Sequence, residues 1–125
     1  MSRRVAADML EAQGNKPVDA KIRARYEAQA KILKALAHPS RLFIIDELAR
    51  SGPRCVCELT GLIGADMSTV SKHLSVLRDA GLVEVQKRGA QIWYSLSARC
   101  VVDFFRCIES VLQHKLCCQR EALER

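Results

Sequence analysis

Apolar residues in this chain recur mostly at helical spacing and only briefly in alternation. From Val18 onward, Ile22, Tyr26, Ala30, Leu33 and Leu36-Ala37 fall on one helix face. His38-Pro39-Ser40 interrupts that face, and Pro39 suits the first turn of a second helix. Leu42, Ile45, Leu48 and Ala49 continue inward to about Arg50, where Ser51-Gly52-Pro53 stops the element. A short helix starting around Cys55 carries Leu59, Leu62 and Ile63 on its buried side, and Gly61 and Gly64 mark its end. Asp66 is placed to cap the next helix, with Val70, Leu74 and Leu77 as one buried stripe and Gly81-Leu82 closing it. Two alternating runs, Val83-Glu84-Val85 and Ile92-Trp93-Tyr94-Ser95-Leu96, flank a Gly-containing tip over residues 86–91 and predict a hairpin. The last helix, from about Ala98 to Gln119, shows Val101, Phe104, Phe105, Ile108, Val111 and Leu112. That stripe is wider than one small domain needs, so it is expected to pack against a second copy. Residues 1–20 read as a weakly ordered N-terminal arm, punctuated by Gly14-Asn15-Lys16-Pro17, and residues 21–125 as one domain. The fold class is mainly α with a small β-hairpin.

Charge sharpens this picture. Twenty Lys and Arg against fourteen Asp and Glu give a net charge of +6, which favours polyanionic partners. No apolar run approaches the roughly 20 residues that span a bilayer, and the N-terminus lacks the apolar stretch of a secretory signal. A cytoplasmic chain with no membrane partner is expected. Two short helices joined by Gly64-Ala65-Asp66 form a helix-turn-helix, and the basic hairpin after them makes it a winged one. Burying Val70, Leu74 and Leu77 turns Ser68, Thr69, Ser71 and Lys72 outward at the N-terminal end of the second helix, where they can enter a major groove. Lys87, Arg88 and Gln91 on the wing can hold phosphates or reach the minor groove. A first-turn hydroxyl alone is more often a helix cap, and a basic hairpin alone is a solvated face. Together, on a basic chain, they predict double-stranded operator DNA as the partner. His73, beside the buried stripe, is read either as a base contact or as a structural hydrogen-bonding residue.

Six cysteines remain to be placed. Cys55/Cys57 and Cys117/Cys118 are near neighbours, so internal disulfides would close tiny strained loops, and free thiols are the expectation. In a regular helix, residues i and i+2 point to nearly opposite sides. Cys55 and Cys57 therefore converge on one soft ion only where the backbone is extended, which a helix start just after Pro53 permits. Cys100 and Cys107 lie seven apart on the stripe with Phe104 and Val111 and are assigned to the core; His114 is assigned to the surface. An enzyme is disfavoured, because no Cys-x-x-Cys adjoins a βαβ pattern and there is no Gly-rich phosphate loop. No catalytic residue or catalytic cofactor is assigned.

Three segments carry a family resemblance: Ala35-Leu36-Ala37-His38-Pro39-Ser40-Arg41-Leu42, Cys55-Val56-Cys57-Glu58-Leu59, and Ser68-Thr69-Val70-Ser71-Lys72-His73-Leu74 with Arg78-Asp79-Ala80-Gly81-Leu82-Val83. They resemble the ArsR/SmtB family over roughly residues 26 to 112, and the Cys-Val-Cys motif resembles its arsenite- and antimonite-responsive branch. The resemblance implies a homodimeric winged-helix repressor that leaves its operator when arsenite or antimonite binds Cys55, Cys57 and a third thiolate. That branch often has a third Cys three residues after the pair, where this chain has Thr60. Cys117 or Cys118, from the same chain or its partner, is then the candidate third ligand. The paired Asp/His and His/Glu ligands of the zinc-sensing branch are not reproduced around Asp103 and His114. A redox or sulfur sensor, and a cadmium, lead or zinc sensor, stay open as alternatives.

Overall fold

A computed structural model describes residues 17–124. All but the last few residues of the expected arm lie outside the described residues. The elements run α1 (Ala20–Leu36), α2 (Pro39–Ser51), β1 (Arg54–Cys55), α3 (Val56–Ile63), α4 (Met67–Asp79), β2 (Val83–Arg88), β3 (Gln91–Leu96) and α5 (Cys100–Glu124).

Local chemistry explains the boundaries. Asp19 accepts a hydrogen bond from the Lys21 amide at 3.2 Å and caps α1. His38 caps α2 in the same way, its Nδ1 accepting from the Ser40 amide at 3.1 Å, with Pro39 in the first turn. Helix α3 ends on Gly64, whose left-handed φ of 77° costs a glycine nothing. At the end of α4 the Leu82 amide bonds the Leu77 carbonyl and the Gly81 amide bonds the Arg78 carbonyl, a Schellman closure with Gly81 at positive φ. Leu77 and Leu82 supply its apolar contact, as the sequence leads one to expect.

The core gathers around α4. Ile44 and Ile45 of α2, Leu59 of α3, and Val70, Leu74 and Leu77 of α4 are fully buried. Leu36, Leu48, Leu82, Val83 and Tyr94 close the cluster. Burying each such side chain contributes about 1.5–3 kcal/mol, so the position of α4 is set by the molecule's best-packed contacts.

The structure corrects the sequence reading in several places. The sheet has three antiparallel strands in the order β1-β3-β2, because Arg54 and Cys55 pair with Tyr94 and Trp93. Two residues are too few for alternation to register, so β1 is invisible to periodicity. The hairpin is also tighter than expected. Its strands extend to Arg88 and from Gln91, leaving a two-residue turn in which Gly89 takes φ 62° and Ala90 stays negative, as in a type II′ turn. Leu33, Leu42 and Leu62 are exposed rather than inward. Helix α5 continues to Glu124 and none of its residues is buried in the single chain; only Val101 and Phe105 lean on the core. Cys100 and Cys107 are therefore exposed and not core residues. Their spacing matches an apolar stripe, but most of that stripe, including Phe104, Ile108, Val111 and Leu112, is exposed in the single chain.

Candidate nucleic-acid interface and thiol site

Helix α4 presents Ser68, Thr69, Ser71 and Lys72 at its N-terminal end, Ser68 and Lys72 exposed and Thr69 and Ser71 half-buried. The two leading hydroxyls are already engaged: Ser68 Oγ donates to Asp66 Oδ2 and Thr69 Oγ1 to Oδ1, each at 2.5 Å. Asp66 occupies the cap position, but its carboxylate holds these hydroxyls and makes no capping bond to a backbone amide. The Ser68 hydroxyl, and then that of Thr69, pulls its pKa down to about 2. A depressed carboxylate pKa stabilises the fold above the ordinary value, and that contribution is lost as pH falls through about 2. Asp66 is thus ionised throughout the useful pH range, with a negative charge at the N-terminal tip of α4. Asp66→Asn is expected to strengthen binding to duplexes of any sequence by roughly two- to five-fold, most at low salt. Fluorescence anisotropy with operator and random duplexes at several salt concentrations checks this; unchanged affinity for both rejects it.

His73 faces inward. Its ring lies 4.3 Å from that of His38, centroid to centroid, tilted by 43°. Burial lowers its pKa, with His38 and Arg41 adding to the effect, so the neutral imidazole is favoured. The ring contact joins the start of α2 to the middle of α4.

On the wing, Lys87, Arg88 and Gln91 are all exposed. The Arg88 guanidinium stands 5.1 Å above the Trp93 ring and donates to Gln86 Oε1 at 3.1 Å. Those contacts hold it at the wing's edge near the turn.

The thiols are spread over two regions. Cys55 ends β1, occupies the N-cap position of α3 without a side-chain capping bond, and is buried, at 3% exposure. Its backbone is extended (φ −83°, ψ 161°), the condition under which it can work with Cys57, which is exposed in the first turn of α3. Cys117 and Cys118 are exposed near the end of α5, beside Glu121 at 3.8 Å and His114 Nε2 at 3.6 Å respectively. Among the described residues no three His, Cys, Asp or Glu side chains are gathered as a metal site. One chain by itself does not bring the tail thiols to the Cys55/Cys57 pair.

Two carboxylates escape the sequence reading. Glu58 accepts from Cys55 Sγ at 3.4 Å and from Arg54 Nη1 at 2.6 Å; the Arg54 contact foremost, then the thiol, lowers its pKa. The spacing Cys55-x-x-Glu58 is that of a capping box with Cys in place of Ser, a signal present in the sequence. Glu47 lies among the buried residues of α2 at 8% exposure and accepts from Arg54 Nη2 at 3.2 Å, Arg50 Nη2 at 3.3 Å and Ser51 Oγ at 2.9 Å. Its signal in the sequence is a charge set directly between Ile44-Ile45 and Leu48.

Comparison with known proteins agrees with this architecture. Residues 38–85 match the family described as bacterial regulatory protein, arsR family. The arsenical resistance operon repressor of Bacillus subtilis is 36% identical over 85 residues, covering 68% of this chain and 74% of the repressor. The CadC homolog of Staphylococcus aureus, a cadmium resistance transcriptional regulatory protein, is 36% identical over 67 residues, 54% of this chain and 55% of that protein. The solution structure of Mb0332 from Mycobacterium bovis, a homodimeric winged helix-turn-helix DNA-binding domain, superposes with a TM-score of 0.68 at 29% identity, covering 83% of this chain and 94% of that one.

Proposed function

This chain belongs to the ArsR family of DNA-binding transcriptional regulators, and from that membership we propose that it is a homodimeric repressor released from its operator by trivalent arsenic or antimony. Cys55 and Cys57 are two of the ligands, and Cys117 or Cys118, brought there by the partner chain, supplies the third. The observation that carries this reading is the position of Cys55, at once the last residue of β1 and the cap of the helix that precedes α4. A ligand held there acts on the wing through β3 and on the recognition helix through α3. Three thiolates suit the pyramidal coordination of trivalent arsenic or antimony. The His114–Cys118 pair and the cadmium-resistance relative favour a second reading, in which a soft divalent ion is the inducer. Anisotropy of a labelled operator, titrated with arsenite, antimonite, cadmium and zinc, tests both: release by the first two alone supports the first reading, release by cadmium or zinc alone supports the second, and no release by any of them rejects both.

DNA is held by Ser68, Thr69, Ser71 and Lys72 in successive major grooves of a two-fold operator, with half-sites about 34–36 Å apart or a multiple of it. Lys87, Arg88 and Gln91 hold the flanking backbone. His73 supports α4 from behind. Lys87→Ala and Arg88→Ala are expected to weaken binding to all sequences and to lower the slope of log affinity against log salt by about 0.9 for each phosphate no longer neutralised. Salt titrations of both variants measure this. An unchanged slope removes the wing from the interface.

A further inference from the structure

The Cys55 thiol opens a chain of contacts that crosses three elements. Cys55 Sγ donates to one oxygen of Glu58, and Arg54 Nη1 holds the other at 2.6 Å. The far side of the same guanidinium, Nη2, reaches Glu47 of α2 at 3.2 Å. Arg54 itself belongs to β1 and pairs with Tyr94 of the wing strand β3. Its Nε is buried without a hydrogen-bond partner, so the two carboxylates alone fix the guanidinium. Glu47 lies in the helix that contributes Ile44, Ile45 and Leu48 to the cluster packed against α4.

We propose that Glu58, Arg54 and Glu47 are positioning residues that transmit ligand binding at Cys55 to α2 and the recognition helix. The inference rests on the reading that Cys55 is an inducer ligand. With arsenous acid, each thiol condenses with an As–OH group: the S–H and As–O bonds break, an As–S bond forms, and water leaves with no change of oxidation state. With a divalent ion, the thiol proton passes to solvent as the thiolate binds. Either way the S–H donor is gone, and an electron-rich sulfur faces the Glu58 carboxylate across 3.4 Å. Glu58 turns away and its hold on Arg54 loosens. The guanidinium, keeping Glu47, shifts β1 and the start of α3 relative to α2. Glu47 is the more buried carboxylate, its side chain 11% exposed against 36% for Glu58, and Arg50 and Ser51 hold it as well, so the displacement falls on the looser Glu58 side, where α3 leads through Gly64-Ala65-Asp66 into α4.

The chain's one tryptophan reports on this directly, because Trp93 is the strand partner of Cys55. Trp93 fluorescence follows ligand binding while anisotropy of a labelled operator follows release, each titrated with arsenite and in parallel with Cd²⁺. In the unmodified protein both signals respond, and operator affinity falls about five- to 150-fold. In Glu58→Gln the Trp93 midpoint and the ligand-free operator affinity stay within about threefold of the unmodified protein, while release shrinks to less than about a fifth of its fold-change. Glu47→Gln behaves alike, and Asp46→Asn, whose carboxylate pairs with Arg50 outside the Glu58–Arg54–Glu47 chain, releases normally. Glu58 is partly exposed, so its variant folds even if the Glu47 variant does not. Full release in Glu58→Gln overturns the inference, as does a Glu58→Gln that no longer binds the ion, which would make Glu58 a ligand. An unmodified protein in which neither ion moves Trp93 or the operator overturns the inducer reading itself, and this inference with it.

Discussion

On the proposed reading, Cys57→Ser is expected to leave the repressor–operator complex intact and to abolish release by arsenite. The side chain is exposed in the first turn of α3, so the exchange of sulfur for oxygen disturbs no packing. A hydroxyl does not replace a thiolate as a soft ligand. Cys55→Ser reaches the same result by a different route. The residue is buried, but Ser caps helices better than Cys and its hydroxyl can still donate to Glu58. The fold and the operator affinity are retained while the ligand is removed. Against an about five- to 150-fold drop in operator affinity for the unmodified protein, equivalent to about 1–3 kcal/mol of coupling, each variant changes less than about twofold. Cys117→Ser and Cys118→Ser divide, one weakening release and the other neutral, if a single tail thiol completes the site. Cys100→Ser and Cys107→Ser are silent, in keeping with their exposure. Anisotropy of a labelled operator measures all six variants. Undiminished release in Cys57→Ser rejects a thiolate site at α3.

Val111→Glu abolishes assembly without harming the single chain. Val111 is 67% exposed, and its helix has no buried residue, so a charge there costs the isolated fold almost nothing. In a two-fold assembly through α5 the same carboxylate is buried without a partner. That costs about 3–5 kcal/mol, a weakening of the dimer by more than about a hundredfold. Sedimentation velocity at micromolar concentration shows the change from dimer to monomer, while circular dichroism shows unaltered helix content. Operator binding falls with it, since one protomer reaches one half-site. A variant that remains dimeric places the interface elsewhere.

Most of the scaffold is legible in the sequence because helices announce themselves over many residues. Val70, Leu74 and Leu77 name the face of α4, Gly81-Leu82 names its closure, and Pro39 and Gly64 fix the ends of their helices. What escapes is short or depends on contacts distant in the chain. β1 is two residues whose extended state is decided by Trp93 and Tyr94, some forty positions later. Glu47 takes its role from Arg54, and Glu58 from Arg54 and Cys55, so their composition alone says little. Cys100 and Cys107 mislead for the converse reason. Their spacing is correct for an inward face, and only the structure reveals that within one chain α5 touches the core through Val101 and Phe105 and leaves both thiols exposed. The hydroxyls of α4 stand where the buried stripe places them, but their bonds to Asp66 depend on rotamers that no sequence pattern encodes.

The burial of Cys55 also bears on time. On the proposed reading of Cys55 as an inducer ligand, a thiol at 3% exposure at the end of the two-residue β1 is expected to meet its ion as that pairing opens. Two-residue ladders open readily, on the fast, low-energy side of native-state fluctuations. At high ion concentration the pace of the response is then set by the breathing of β1 and no longer by encounter with the ion. On the same reading the exposed Cys57 captures first, and Cys55 follows once the strand parts. Thus the same pairing that joins the thiol to the wing also serves as the clock of the switch.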